Sequence, residues 1–391
     1  MLFLFAFALT LLAAVLVSSL AERTVLSTAV VFLGAGFLYG VVTGTDVRPL
    51  VARFAEVALV SVLFTDGLHL PLAELRQGWA LPGRALLLGM PLTIAGTALL
   101  GRVVAGLSWG EALVVGAALS PTDPVFAAAL VGKGEVPARV RHLLNVESGL
   151  NDGLALPILV VLLAVLRPEP VHLPRVLGEV AAGVTVGIAV PLAAIRLERS
   201  RFFGAAPLYE PLSALAIGAL VFTTAGLLHV NGFLAMFAAG IVLATKAPRM
   251  SRAFRHFGEL VTELVKLAAV FVFGALVSPR LLAEIPVSGY VFALLALVVV
   301  RPAALAVALL GGGLTRREWI AAAWFGPKGF SSVVYGFLIL TSGLPHAQAL
   351  AHLVAIVIAA SIMAHSSTDV LVARWFRKGE RATAREAAAR A

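Results

Sequence analysis

Six charged side chains stand inside stretches that are otherwise apolar: Asp66, Asp123, Glu147, Asp152, Arg301 and Lys328. A charge at the centre of a bilayer costs at least about 2.5–3.5 kcal/mol, so residues of this kind are functional by default. Their spacing suggests the use. Ser148 and Asp152 are four residues apart, as are Glu147 and Asn151, and at about 100° per residue each pair shares a helix face, the two faces diverging by roughly 100°. One face offers a hydroxyl and a carboxylate, hard oxygen donors of the kind that hold a small hard cation. The other can set Glu147 against a basic neighbour. Asp123, Glu147 and Asp152 against Arg301 and Lys328 leave one negative charge in excess, or two if Asp66 is included. A desolvated carboxylate without a basic partner can hold one proton or one cation near neutral pH. Mutual exclusion at one carboxylate, combined with access from the two sides in turn, amounts to ion exchange.

The elements that must position these groups are transmembrane helices. Of 391 residues 60% are hydrophobic and 13% charged, with a mean hydropathy of +0.99; a water-soluble globule has roughly 25% charged residues, and disordered chains lack such apolar runs. The absence of cysteine excludes a disulfide framework and thiolate metal sites. A spanning helix needs about 20 apolar residues, and that window finds thirteen spans, near 2–20, 24–44, 50–69, 84–102, 108–131, 140–166, 174–195, 207–229, 231–245, 257–278, 286–310, 316–341 and 347–370. The first has no basic residue ahead of its apolar run and reads as an uncleaved helix. Lys and Arg alternate strictly across the spans, twenty-one on one side and six on the other, which predicts an outside N-terminus and a cytoplasmic C-terminus. The net charge of +9 follows from this bias and a basic tail with Arg374, Arg377 and Lys378, suited to anionic lipid; no nucleic-acid partner is implied. Glu263 and Lys266, three apart in span ten, are expected to neutralise each other. His142, near the cytoplasmic end of span six, reads as an interfacial histidine.

A shift of about 205 residues superposes spans three, four and five on spans ten, eleven and twelve. Seven spans separate each pair, so partners run in opposite directions: an inverted repeat of six spans, a linker span and six more, the plan of many secondary transporters. The first repeat covers about 2–166, the linker about 174–195 and the second repeat about 207–370, all in one membrane domain (1–370) with a short tail (371–391). The shift also aligns two breakers, Ser120-Pro121-Thr122-Asp123-Pro124 in span five and Phe325-Gly326-Pro327-Lys328-Gly329 in span twelve. Proline removes a backbone donor and disfavours helix in the residue before it, so both spans are predicted to unwind near mid-membrane. Irregular backbone at that depth persists only when buried in protein or lining a wet cavity.

These two breakers, together with Glu147-Ser148-Gly149-Leu150-Asn151-Asp152-Gly153 and Arg301-Pro302, resemble the monovalent cation:proton antiporters, specifically the electroneutral NhaP and NHE-like branch, over nearly the whole chain. The resemblance implies that Asp152 binds cation and proton in turn, that Ser148 supplies an oxygen, and that Thr122 and Asp123 lie near the crossing of the unwound spans. It pairs Glu147 with Arg301. Asn151 stands where the electrogenic branch has a second Asp, implying one-for-one exchange. It further implies a homodimer in the bilayer, no cofactor, and H⁺ and Na⁺ as transported ions, with Li⁺ or K⁺ as alternatives. Two features depart from the pattern. Lys328 replaces the Arg of a Gly-x-Arg-Gly motif, a point charge in place of a planar fork, and Asp66 aligns only loosely with an acid that joins the site in some relatives. A passive cation channel and an intramembrane aspartyl protease built on Asp123 and Asp152 are the competing readings. The first lacks a carbonyl filter loop, and the second lacks Gly-x-Gly-Asp and leaves the paired breakers unexplained. A primary pump is disfavoured by the absence of a Walker A sequence.

Overall fold

The computed structural model of the chain describes residues 1–21, 27–45, 47–73, 78–123, 137–167, 172–200 and 209–365, with the single residues 204, 206 and 368. Every regular element among the described residues is helical. In chain order these are α1 (Leu2–Ala21), α2 (Thr28–Thr43), α3 (Arg48–Leu68), α4 (Ala80–Val103), α5 (Trp109–Ala118), α6 (Ala138–Leu166), α7 (Leu173–Glu198), α8 (Glu210–Leu227), α9 (Gly232–Lys246), α10 (Pro248–Leu276), α11 (Val287–Ala308), α12 (Arg316–Trp324), α13 (Phe330–Leu340) and α14 (Ala347–His365). A short helix, Pro279–Glu284, follows α10. By length and composition α4, α6, α7, α8, α11 and α14 can each cross a bilayer. Their outward side chains are apolar, for example Leu87, Leu177, Leu220 and Leu294, as a surface facing lipid requires. The part of span five after Asp123, including Pro124, and the basic tail lie outside the described residues.

The two spans with breakers begin alike and stop alike. Ser108 caps α5 by accepting from Glu111 N–H while Glu111 reaches back to Ser108 N–H; Thr315 and Glu318 do the same for α12. Such boxes satisfy two of the orphan donors at a helix start. Helix α5 ends at Ala118, and residues 121–123 follow in irregular backbone; α12 ends at Trp324, and Phe325–Gly329 are irregular before α13 begins. The prolines and glycines of the two motifs account for both stops. The irregular stretches meet, Asp123 N–H donating to Pro327 C=O at 3.0 Å.

Packing around them repeats as well. A Cβ added at Gly36 of α2 would lie 2.0 Å from Phe271 O of α10, and one at Gly274 of α10 would lie 2.3 Å from Leu33 O of α2. In α3 and α9, a Cβ at Gly67 would lie 2.5 Å from Phe237 O and one at Gly240 2.4 Å from Phe64 O. Only glycine permits such backbone contact, a common device between helices in lipid. The two clasps are equivalent, Phe64, Gly67, Phe237 and Gly240 standing where a shift of about 205 places Phe271, Gly274, Leu33 and Gly36. Helices α4 and α11 likewise each contain a π turn, Ala85–Gly89 and Ala296–Val300. Pro91 and Pro302 follow these turns by two residues. A proline ring crowds the carbonyl four residues earlier, here Leu87 and Val298, and a widened turn relieves that clash.

Candidate functional site

Interrupting a helix exposes its terminal amides and carbonyls, with partial positive charge at the N-terminus and negative charge at the C-terminus. At the described ends of the breaks, opposite charge answers each. At the start of α13, Phe330 N–H donates to Asp123 Oδ2 at 3.0 Å. Past the end of α5, Lys328 Nζ lies 3.5 Å from Ser120 O and 3.4 Å from Pro121 O. At the end of α12, Arg301 Nη2 reaches Ala322 O at 3.2 Å and Phe325 O at 3.5 Å. Ser361 of α14 accepts from Lys328 N–H at 2.7 Å, holding the second break from behind. Asp123 and Lys328, both buried, therefore anchor each break to the other.

Arg301 also meets Glu147. Its Nη1 donates to Oε1 at 2.7 Å and its Nη2 to Oε2 at 3.0 Å, with both side chains 6% exposed. This bidentate fork joins α6, α11 and the end of α12. Gly326 leaves room for it, because a Cβ there would lie 2.0 Å from Arg301 Nε.

Five residues along α6, Asp152 is 4% exposed. Its Oδ2 accepts a hydrogen bond from Ser331 Oγ and its main-chain oxygen accepts from Tyr335 O–H at 2.7 Å. Its Oδ1 is buried without a hydrogen-bond partner, and so is Asn151 Oδ1. Asn151 Nδ2 donates to Thr122 Oγ1 at 2.8 Å, tying α6 to the first break. Ser148, expected to offer an oxygen beside Asp152, donates its hydroxyl hydrogen to Leu144 O at 2.6 Å, which leaves the lone pairs of a buried hydroxyl for another group. Thr122, Asp123, Asn151 and Asp152 thus lie where the two breaks pass α6, with Ser148 buried one helical turn before Asp152.

Asp66, half-buried in α3, lies close enough for its charge to act on Asp152. The expected Glu263–Lys266 neutralisation is not an exclusive pairing: no ion pair joins them among the described residues, and the ammonium of Lys266 stands close enough for its charge to act on Asp66, Asp123 and Asp152 as well as on Glu263. The cause is register. Thr65 Oγ1 and Thr262 Oγ1 share a buried hydrogen bond at 2.8 Å, and Lys266, one turn from Thr262, is carried onto the side of α10 that faces Asp66. Sequence reading missed Ser331, Tyr335 and Ser361, polar residues in apolar runs whose roles depend on which helix lies opposite. His142 lies near Gly78, the imidazole Nε2 being 3.1 Å from where a Cβ there would stand, ten residues along α6 from Asp152.

The profile of the family described as sodium/hydrogen exchanger, transmembrane, matches residues 7–374. The chain belongs to the sodium/hydrogen exchanger family. It is an integral membrane protein of a transporter family, not one of enzymes. Among similar proteins are the K(+)/H(+) antiporter NhaP2 of Shewanella baltica, 24% identical over 374 residues covering 92% of this chain and 64% of that protein, and the probable Na(+)/H(+) antiporter C3A11.09 of Schizosaccharomyces pombe, 33% identical over 126 residues covering 30% of this chain and 16% of that one. The chain therefore spans a little under two thirds of the length of the Shewanella relative. The fold is that of the sodium proton antiporter MjNhaP1 from Methanocaldococcus jannaschii, with a TM-score of 0.79 at 16% identity, covering 96% of this chain and 97% of that one.

Proposed function

We propose that this family member is a secondary antiporter exchanging protons for monovalent cations, one for one, by competition at Asp152. One observation carries the reading: a deeply buried carboxylate with one oxygen held by Ser331 and the other without a protein partner. The unpartnered oxygen can carry a proton or contact an alkali cation, and each removes the isolated negative charge that burial disfavours. Thr122, Ser148 and Asn151 supply neutral oxygens around it, a hard donor set suited to Na⁺, Li⁺ or K⁺. Glu147 and Arg301 cancel each other and serve structure. Asn151 adds no second carboxylate beside Asp152, which supports exchange without net charge movement.

The duplicated glycine clasps, π turns and capping boxes support an inverted repeat of six spans, a linker and six spans. In this arrangement spans five and twelve cross as interrupted helices, and rocking of one bundle against the other exposes the site to each side in turn. An outside N-terminus, a cytoplasmic C-terminus and a homodimer complete the proposal. Reconstitution into proteoliposomes with a trapped pH indicator tests it. Addition of Na⁺, Li⁺ or K⁺ to the wild type should move protons in the opposite direction, and Asp152→Asn, folded by its melting profile, should not. Cation-driven proton movement that persists in Asp152→Asn refutes the assignment.

A further inference from the structure

Ser331 is the second residue of α13 and is 2% exposed. Its hydroxyl is directed at Asp152 Oδ2. One turn later Tyr335, fully buried, holds the main-chain oxygen of the same residue. Two positions of one helix face thus grip both side chain and backbone of Asp152, so the acid of α6 is bound to the half-helix that starts at the second break. A serine hydroxyl has one hydrogen and two lone pairs, and its hydrogen rotates to suit its neighbours. Toward a bare carboxylate it donates. Toward a cation bound beside the carboxylate, the hydroxyl hydrogen rotates away and the same oxygen turns a lone pair to the ion, a hard donor like the carboxylate itself. Asp152 Oδ1, on the same carboxylate, is buried without a hydrogen-bond partner, so the acid offers a second oxygen beside the one that Ser331 holds. Around Asp152 the charged and titratable groups are Asp66 on α3, Asp123 after α5, Lys266 on α10 and Tyr335 on α13. Among the described residues, Ser331 is the one whose hydroxyl donates to the carboxylate of Asp152.

Given the exchange reading above, we propose that Ser331 is a ligand of the transported cation and sets its ion preference, contributing from the second interrupted span an oxygen that turns from hydrogen-bond donor to ligand when the ion binds. A small ion of high charge density gains most from each oxygen, so the effect of losing one should fall in the order Li⁺, Na⁺, K⁺.

The test compares wild type, Ser331→Ala, Ser331→Thr and Ser331→Cys in proteoliposomes, reading the half-saturating concentration of each alkali cation. Ser331→Ala should raise that concentration about tenfold or more for Li⁺ and Na⁺ and less for K⁺, and should weaken the rise in melting temperature that Na⁺ gives the detergent-solubilised protein. Threonine, which keeps the oxygen, should restore the wild-type order. Cysteine, with a soft sulfur of similar size, should behave like alanine toward Li⁺ and Na⁺. If the alanine variant does not fold, threonine against cysteine decides the matter. Half-saturating concentrations and ion order that match wild type in Ser331→Ala or Ser331→Cys, with only the maximal rate lowered, overturn the proposal. A wild type that exchanges no cation for protons defeats the functional reading instead, so the two failures are distinct.

Discussion

Replacing either member of the Glu147–Arg301 fork alone should destabilise the protein more than replacing both together. Arg301→Gln removes both donors to Glu147 and the two contacts that answer Ala322 O and Phe325 O at the end of α12. It leaves a carboxylate whose side chain is 6% exposed with its basic partner gone. Glu147→Gln strands the guanidinium, but less severely, because the two carbonyls remain. Breaking a buried pair from one side costs about 3–5 kcal/mol because it leaves an uncompensated buried charge, whereas removing both charges leaves none. The single losses then sum to roughly 6–10 kcal/mol, and Glu147→Gln with Arg301→Gln should cost well under half of that. Thermal melts of the four proteins in one detergent measure the cycle, with Arg301→Gln lowest, Glu147→Gln next and the double variant above the midpoint expected from addition. Since membrane proteins often unfold irreversibly, the midpoints are compared at one heating rate. Additive shifts would refute the fork as a coupled unit and remove the stated reason for both buried charges.

Two further outcomes follow from the geometry. Gly326→Ala places a Cβ 2.0 Å from Arg301 Nε; it should displace the guanidinium from Glu147 and approach the cost of Arg301→Gln, ~3 kcal/mol or more, while Gly326→Ala on an Arg301→Gln background should cost little more, both read from the same melts. If exchange is one for one, an imposed potassium-diffusion potential should leave the ion gradients at which net proton flux vanishes unchanged, and a flux driven by potential alone would contradict the role given to Asn151.

What the sequence reveals about this molecule is what lipid makes expensive. Asp123, Glu147, Asp152, Arg301 and Lys328 stand out because charge is costly in an apolar span, and the two breakers stand out because proline cannot continue a helix. Their crossing is implied by resemblance, and the fold adds how they hold each other, Asp123 capping α13 and Lys328 closing α5. The pairing of Arg301 with Glu147 is read by resemblance and found in the structure as a fork. Ser331, Tyr335 and Ser361 give no such signal, since a hydroxyl in a membrane helix can bond to its own backbone, as Thr10 and Thr93 do. Spacing along one helix suggests that Lys266 acts with Glu263, as it does, but only the fold brings its charge to bear on Asp66, Asp123 and Asp152 too. The duplicated capping boxes, Ser108 with Glu111 and Thr315 with Glu318, are written plainly in the sequence, but their significance depends on the repeat.

The central claim is that one carboxylate is occupied by a proton and an alkali cation in turn. Proton release on cation binding measures this directly: lightly buffered, detergent-solubilised protein is titrated with Na⁺, Li⁺ and K⁺ at a pH where Asp152 is protonated, and the pH change is compared with the amount of ion bound. Wild type should release one proton for each cation bound, and Asp152→Asn should release none. Cation binding to the wild type with no proton released would mean that the two ions do not share the site.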